Sequence, residues 1–470
     1  MLKKQYVPFI ILAIVGIIAA FIPSLPNFRD EKLYNQADIS WMLVATALVF
    51  LMTPGLAFFY GGMVHRKNVL STMIKSVLSA GIVSILWIVV GFSLSFGKSI
   101  HGIIGDPTTF MFFRNVSSGA PLLPGSTSPL TIPLLLFSLF QLMFAIITPG
   151  LVVGAVAERI RFTSYVLFIA LFSLLVYAPI AHWTWNPEGF LNKMGVLDFA
   201  GGTVVHISAG CAALAGAMVL KRRRVHIEQR EIPPANIPYV LIGTGLLWFG
   251  WFGFNAGSSL AANHLAVSAF ATTNTAAAAA GLSWMFFDVA KGKKPSVLAF
   301  CIGAVVGLVA ITPAAGFVAI PQSICIGVIA AVISNAAVHY KQKSRLDDTL
   351  DVFPCHGIGG MVGLMFTGLF ATKTVNALGN DGLFYGNLSF FITQMKALII
   401  VVAYSFTVSY LIFKFINYVL PLRVTLKEEE LGLDATQHNE KYLQGTLLVR
   451  DKSNIESKEI DLEEPEIIGT

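Results

Sequence analysis

The sequence predicts an all-α polytopic membrane protein, and three observations lead to that prediction. The first is composition: 55% of the 470 residues are hydrophobic and only 12% are charged, with a mean hydropathy of +0.72. Soluble domains carry about 25% charged residues, so this chain has too few charges to coat two or three soluble domains. The other two are long charge-free runs and a concentration of Lys and Arg in alternate loops. Together they exclude an ordinary cytosolic enzyme, a disulfide scaffold and a disordered chain.

A membrane helix needs about 20 mostly apolar residues, and eleven segments of the chain suit it. Two apolar runs, 232–287 and 295–340, are too long for single helices, and each contains a plausible turn, at 261–263 and at 312–316. The predicted spans are 39–64, 76–97, 129–157, 162–187, 199–220, the two parts of 232–287, the two parts of 295–340, 352–372 and 389–413.

The loops between these spans predict the orientation of the chain. Cytoplasmic loops of membrane proteins are enriched in Lys and Arg. One alternate set of loops, from Arg66 to Arg345, holds fifteen of them, and the intervening set holds only four. The basic set is expected in the cytoplasm, so the first span begins outside and the C-terminal tail lies inside. The same loops explain the net charge of +6 without a nucleic-acid partner.

Residues 1–38 precede the first predicted span. Lys3 and Lys4 stand before an apolar stretch that ends at Ile22, which is typical of a signal peptide. The cleavage motif is poor, so a cleaved signal and an uncleaved twelfth helix both stay open. The chain is thus divided into the N-terminal segment 1–38, a membrane domain 39–420 and a polar cytoplasmic tail 421–470.

The sequence indicates no metal or cofactor site. The four cysteines lie singly in apolar stretches, without CxxC or Cys/His spacing, so we expect them to be small buried hydrophobes. They are Cys211, Cys301, Cys325 and Cys355.

Two histidines inside predicted spans are the strongest functional candidates, because polar groups in a membrane are costly. His206 lies in the fifth span and His356 in the tenth, and each follows an aspartate, Asp198 and Asp351 respectively. Five spans separate them, so the second five helices would be inverted relative to the first. Inverted repeats are typical of transporters, with the substrate path at the repeat interface. This 5+5 arrangement predicts that both histidines meet near the pseudo-twofold axis.

Aromatic residues form a second group of candidates. Phe140 and Phe144 lie one helical turn apart in the third span, Trp185 follows the fourth, and Phe254 shares a helix face with Ser258. With 36 phenylalanines in the chain, periodicity alone singles out none of them, and ordinary packing or a membrane-interface belt explains them equally well.

At this point several motifs resemble the ammonium transporter family (Amt/Mep/Rh), and its bacterial Amt members most. The resemblance covers roughly residues 39–442. It is carried by TPGLAFFYGG at 53–62, GAVAER at 154–159, DFAGGTVVH at 198–206, GFNAGS at 253–258 and HGIGG at 356–360.

The resemblance implies a homotrimer in the inner (cytoplasmic) membrane, each protomer with its own pore for ammonium or ammonia, and no enzyme activity. It implies that His206 and His356 line the lumen and that Phe144 and Phe254 form a gate. The implied recruitment residues are Phe144, Trp185, Ser258 and Asp198, with Phe140 and Thr312 as further outer-site candidates. Ammonium could then lose a proton and cross as neutral ammonia, which potassium cannot do.

The tail segment 428–440 resembles the cytoplasmic regulatory motif of that family, which implies a PII-type signalling protein as partner. The residues that carry this resemblance are Gly432, Asp434 and His438, while Asn439 and Lys441 depart from the family pattern. Three other functions stay open: an Rh-like electroneutral gas channel, an ammonium sensor that signals through its tail, and a membrane enzyme. The enzyme is the weakest, because no third ligand or nucleophile accompanies the histidines.

Overall fold

The computed structural model describes residues 6–23, 31–116 and 122–442, and these residues are almost entirely helical. Two helices precede the first predicted loop, α1 (Val7–Ala20) and α2 (Gln36–Met63). The remaining long helices are α3 (Val69–Leu86, continued by Trp87–Gly91 and Phe92–Phe96), α4 (Leu134–Val156), α5 (Phe162–Phe172, continued by Ser173–Tyr177 and Ala178–Trp185), α6 (Gly202–Ile207 with Ser208–Leu220), α7 (Ile237–Ala256), α8 (His264–Ala290), α9 (Val297–Ile311), α10 (Ile320–Gln342), α11 (Phe353–Ile358 with Gly359–Phe370) and α12 (Leu388–Val419).

Short elements connect these helices. The tail adds α13 (Leu426–Leu431) and α14 (Leu433–His438), and one antiparallel pair joins β1 (Ser99–Ile100) to β2 (Ile104–Gly105). Single helical turns lie at Glu31–Leu33, Arg66–Asn68, Met111–Phe113, Phe190–Lys193, Arg224–Ile227, Gly257–Ser259 and Leu383–Tyr385.

The prediction of a helical, multiply spanning membrane protein is confirmed. Within the described residues, ten helices are long and apolar enough to cross a membrane. The eighth predicted span corresponds to α9, which has 15 residues and is shorter than those ten. The exact number of eleven spans, the inverted repeat and the orientation stay predictions. Helix α1 has no buried side chain.

Both predicted turns are present where the long apolar runs were divided. Helix α7 ends at Ala256, and α8 begins at His264, where the Asn263 side chain accepts a hydrogen bond from the Ala266 amide. Helix α9 ends at Ile311 and α10 begins at Ile320. An Asn side chain at such a position satisfies an amide that the helix itself leaves unpaired.

The predicted start of the second span at 76 is wrong by about two helical turns. Helix α3 begins at Val69 and contains Lys75, the charge that was expected to bound the span. Lys75 is buried, and its Nζ donates to the carbonyl and hydroxyl oxygens of Ser71, 3.1 and 2.5 Å away. A buried charge is tolerated where its hydrogen-bond donors have acceptors, so the helix continues through Lys75.

The loops at one end of the bundle converge on the tail, and we call this end the tail face. Arg161 pairs with Glu428 at 2.8 Å, and Arg423 pairs with Glu429 at 2.7 Å. The predicted basic loops around 65–68, 157–161, 221–230 and 341–351 all meet here. The opposite end carries Asp198 and Trp185, and we call it the Asp198 face.

Candidate functional site

The structure brings His206 and His356 together at the centre of the bundle. Their Nδ1 atoms lie 3.4 Å apart, and the two rings are 5.5 Å apart between centroids. Both side chains are buried. A hydrogen bond between two Nδ1 atoms requires that one ring is protonated there and the other is not. The pair therefore contains one Nε2 lone pair and one Nε2–H when both rings are neutral.

Each histidine lies in a wide π turn at the start of its helix. His206 is in Gly202–Ile207 and His356 is in Phe353–Ile358. Such turns are rare and frequent at functional sites. Helices α6 and α11 approach closely at Gly210, because glycine has no side chain there. A Cβ at Gly210 would overlap the backbone of Gly357.

An aspartate holds the start of each of these two helices. Asp198 accepts hydrogen bonds from the amides of Gly201, Gly202 and Thr203, the first two at 2.8 and 2.7 Å, and from the Thr203 hydroxyl. Helix N-termini favour a carboxylate. The Asp198 carboxylate thus serves α6, while its backbone carbonyl accepts the Trp185 indole N–H at 3.0 Å.

The matching residue on α11 is Asp348, which the sequence reasoning missed. Asp348 accepts the amides of Val352 and Phe353 at 3.1 and 2.7 Å. Asp351, which the sequence reasoning singled out, instead pairs with Lys341 at 2.7 Å. The spacing was a usable signal, because His206 follows Asp198 by eight residues and His356 follows Asp348 by eight.

The twin imidazoles line a narrow apolar space, here called the histidine lumen. Its volume is about 10 Å³, close to the least that holds one water-sized molecule. Trp251 stacks on His206 with centroids 5.3 Å apart and was also missed. His206 Nε2 has no hydrogen-bond partner among the described residues. The lining residues are Met52, Leu56, Phe59, Ile147, Leu151, Val205, His206, Leu247, Trp251, Phe254, Val305 and His356.

A second cavity, here called the aromatic cavity, lies on the other side of Phe144. Its volume is about 160 Å³, and Phe144, Trp185 and Ser258 all line it, together with Gln141. Phe144 and Trp185 meet edge to face at 5.7 Å. Ser258 donates its hydroxyl to the Phe254 carbonyl at 2.9 Å, which leaves the oxygen lone pairs free to accept.

Phe144 and Phe254 separate the two spaces. Their ring centroids are 4.2 Å apart, and both side chains are buried. Phe254 also lies 6.0 Å from the His206 ring. The closed pair therefore stands directly between the aromatic cavity and the histidine lumen.

The two further outer-site candidates do not line the aromatic cavity. Phe140 packs against Phe144 at 4.9 Å, behind the gate pair. The Thr312 hydroxyl oxygen accepts the Trp251 indole N–H at 2.9 Å, so Thr312 supports the wall of the histidine lumen. Within the described residues, no group of three or more His, Cys, Asp or Glu side chains is placed to hold a metal ion.

The candidate tail residues pack against the start of α3. Asp434 accepts the amides of Leu70 and Ser71 at 3.1 and 2.8 Å, and His438 lies 3.2 Å from the Ser71 hydroxyl. Gly432 has a φ of +99°, which favours glycine. Residues 443–470 of the predicted tail lie outside the described part of the chain.

The family model described as Ammonium Transporter Family matches residues 40–442. The chain belongs to the ammonium transporter family.

Curated ammonium transporters are similar in sequence to most of this chain. A putative ammonium transporter of Methanothermobacter thermautotrophicus is 47% identical over 409 residues, covering 86% of this chain and 98% of the relative. An ammonium transporter of Bacillus subtilis is 46% identical over 414 residues, covering 88% and 100%.

Solved structures share the fold. Saccharomyces cerevisiae Mep2 aligns with a TM-score of 0.80 at 36% identity, covering 89% of this chain and 94% of that one. A structure titled Sensor Amt Protein aligns with a TM-score of 0.77 at 30% identity, covering 86% and 98%. The predicted family is confirmed.

Proposed function

We propose that this family member moves ammonium across the cytoplasmic membrane by recruiting the cation, removing a proton and conducting neutral ammonia past His206 and His356. The observation that carries the proposal is the pair of facing imidazoles in an apolar lumen with room for about one small molecule. Such a lumen suits ammonia, which is small, uncharged and able to hydrogen-bond.

Recruitment takes place in the aromatic cavity. Aromatic faces attract a cation by about 0.5–2 kcal/mol each, and Phe144 and Trp185 both face the space. The Ser258 hydroxyl accepts a hydrogen bond from ammonium. Asp198 acts through the start of α6, because its carboxylate is bonded to amides of that helix.

Charge is removed at the entrance to the lumen. Moving a bare ion into low dielectric costs an idealised 20 kcal/mol or so, which two or three aromatic contacts do not offset. The histidine lumen has no carboxylate among its lining residues. An ammonium ion can give up its proton to the imidazole pair, whereas potassium has no proton to give, so deprotonation also gives selectivity.

Beyond the gate, Phe144 and Phe254 part and ammonia meets the imidazole pair. The ring with the free Nε2 lone pair accepts an ammonia N–H, and the hydrogen bond between the Nδ1 atoms couples that ring to its neighbour. The same pair can relay the released proton, which makes net transport electrogenic. A homotrimer, with each protomer holding a pore, completes the proposed assembly.

Regulation through the tail is part of the proposal. Asp434 and His438 hold the tail against the start of α3 on the tail face, next to the positive-φ Gly432, where a PII-type signalling protein would act. An ammonium sensor is the second candidate, favoured by the likeness to the solved sensor protein.

The proposal is tested by currents from the purified full chain in proteoliposomes after an ammonium pulse. We expect a current that saturates with ammonium, and a half-saturating concentration raised about fivefold in Trp185→Leu, since one cation–π contact is worth about 1 kcal/mol. Phe249→Leu, at an exposed position, is the matched control and should behave as wild type. Uptake without current would favour the electroneutral gas channel. Absence of both uptake and current would favour the sensor.

A further inference from the structure

A groove on the tail face lies apart from the pore, and we call it the basic groove. It begins along the last two turns of α6, where Leu214, Ala217 and Met218 form an apolar wall, and it opens beyond the end of that helix. Its volume is about 1060 Å³, enough for part of a large amphipathic molecule. Its other lining residues are Lys221, Arg222, Arg224, Ile227, Glu228, Arg345, Leu346, Arg423 and Leu426.

The rim of the basic groove carries five cationic side chains and one carboxylate. Three of the cations are engaged within the protein. Arg222 donates to His226, Arg224 pairs with Glu228 and Glu430, and Arg423 pairs with Glu429.

Lys221 and Arg345 are different. Both are exposed, and neither has a carboxylate within ion-pair distance in the described part of the chain. Two unpaired cations from separate loops therefore face one opening.

We propose that the basic groove binds an anionic phospholipid of the bilayer, with the phosphate at Lys221 and Arg345 and an acyl chain along Leu214 and Met218. The apolar wall belongs to a membrane-spanning helix, so a lipid tail reaches it without leaving the hydrocarbon. The cations begin just past the end of that helix, at the depth of the headgroups. Basic pockets between membrane helices on the cytoplasmic side bind anionic headgroups in this way.

The two chemical features of the basic groove favour lipid over the alternatives. A free phosphate would use the cations but leave the exposed apolar surface of Leu214 and Met218 uncovered. A second copy of this chain would bring a tail face that is itself rich in Lys and Arg. Only a molecule with an anionic head and an apolar body complements both parts.

Native mass spectrometry of the delipidated full chain tests the proposal, with phosphatidylglycerol and phosphatidylcholine titrated separately. The variant is Lys221→Gln with Arg345→Gln. Its matched control is Lys294→Gln with Lys343→Gln, which removes the same charge from exposed tail-face lysines outside the groove. We expect the groove variant to lose affinity for the tightest phosphatidylglycerol about thirtyfold, with the control unchanged.

Several results would overturn the proposal. Equal binding of the two lipids, or equal loss in both variants, would show no headgroup site at the groove. Displacement of phosphatidylglycerol by millimolar inorganic phosphate or glycerol 1-phosphate would assign the site to a free phosphate. A changed oligomeric state of the groove variant would assign it to a second copy. Unchanged melting temperature, measured in detergent, checks that both variants fold.

Discussion

The Nδ1 atoms of His206 and His356 lie 3.4 Å apart although 150 residues separate them. The two rings arrive from opposite faces of the protein. Asp198 holds the start of α6 at one face, and Asp348 holds the start of α11 at the tail face. Since each histidine follows its aspartate by eight residues, the same distance along a helix carries both rings to the centre.

The cap at Asp198 makes the first prediction. In Asp198→Asn one carboxylate oxygen becomes an NH₂ group, which faces either the Gly201 and Gly202 amides at Oδ1 or the Thr203 amide and hydroxyl at Oδ2. In either case at least one backbone N–H loses its acceptor. Loss of this charge-assisted cap should lower stability by about 1–2 kcal/mol and reduce ammonium uptake about tenfold, while the protein still inserts. Uptake by proteoliposomes and melting in detergent measure the two effects.

Asp106→Asn is the control, because Asp106 is a partly exposed carboxylate on a loop of the same Asp198 face, and among the described residues its hydrogen bonds go only to the nearby Thr108. It should leave uptake and melting as in wild type. Unaltered uptake in Asp198→Asn would remove that residue from the mechanism.

The contact between α6 and α11 makes the second prediction. In Gly210→Ala the added Cβ would overlap backbone atoms of Gly357, so the histidine helices must separate. Overpacking of this kind costs about 1–3 kcal/mol, and we expect a lower melting temperature together with reduced uptake. Gly245→Ala is the control, since a Cβ there meets no atom within 4 Å. Equal melting of both variants would contradict the close approach.

The buried ion cluster of the tail face makes the third prediction. Arg223 pairs with Glu158 at 2.6 Å and with Asp347 at 2.8 Å. Burial alone would raise the pKa of Glu158, but the Arg223 charge, together with hydrogen bonds from the His65 amide and from the Arg223 and Asn68 side chains, outweighs it, and the pKa lies below its usual value. Burial likewise opposes ionisation of Asp347, and the charges of Arg159 and Arg223 hold its pKa well below the usual range.

A carboxylate with a depressed folded-state pKa stabilises the fold above its unfolded pKa of about 4, and that stabilisation is lost as the pH falls. Arg223→Met leaves two buried carboxylates without their partner, at a cost of about 3 kcal/mol or more at pH 7. The melting difference from wild type should shrink at pH 4.5, where the unpaired carboxyls take up protons. Exposed Arg230→Met should show little difference at either pH; a pH-independent difference for Arg223→Met would refute the electrostatic cause.

The sequence was sufficient for the family, the helical class and the two turns inside the long apolar runs. Charge scarcity and motif order are local properties, so they can be read without coordinates. Lys75 shows where this reasoning fails. A lysine is typical of a loop in sequence. Its partner Ser71, however, lies one helical turn away on the same helix, so the hydrogen bonds between them form only once the helix has formed.

The candidate site was partly predictable for a similar reason. Histidines inside spans are conspicuous because charges and polar groups are scarce there. Trp251 was not, since one tryptophan among many apolar residues gives no sign that it stacks on His206 and donates to Thr312. Thr312 was named as an outer-site candidate, and its place behind Trp251 depends on a long-range contact that sequence spacing does not encode.

The most direct test of neutral conduction through the histidine lumen is the potassium current of wild type and His206→Glu, measured with the reconstituted full chain against the ammonium current. We predict no potassium current in wild type and a clear one in His206→Glu, because a carboxylate in the lumen stabilises a cation that two neutral imidazoles do not. His339→Glu, an exposed histidine at the end of α10, should match wild type. A potassium current in wild type, or a His206→Glu protein that passes ammonium and still excludes potassium, would contradict deprotonation as the source of selectivity.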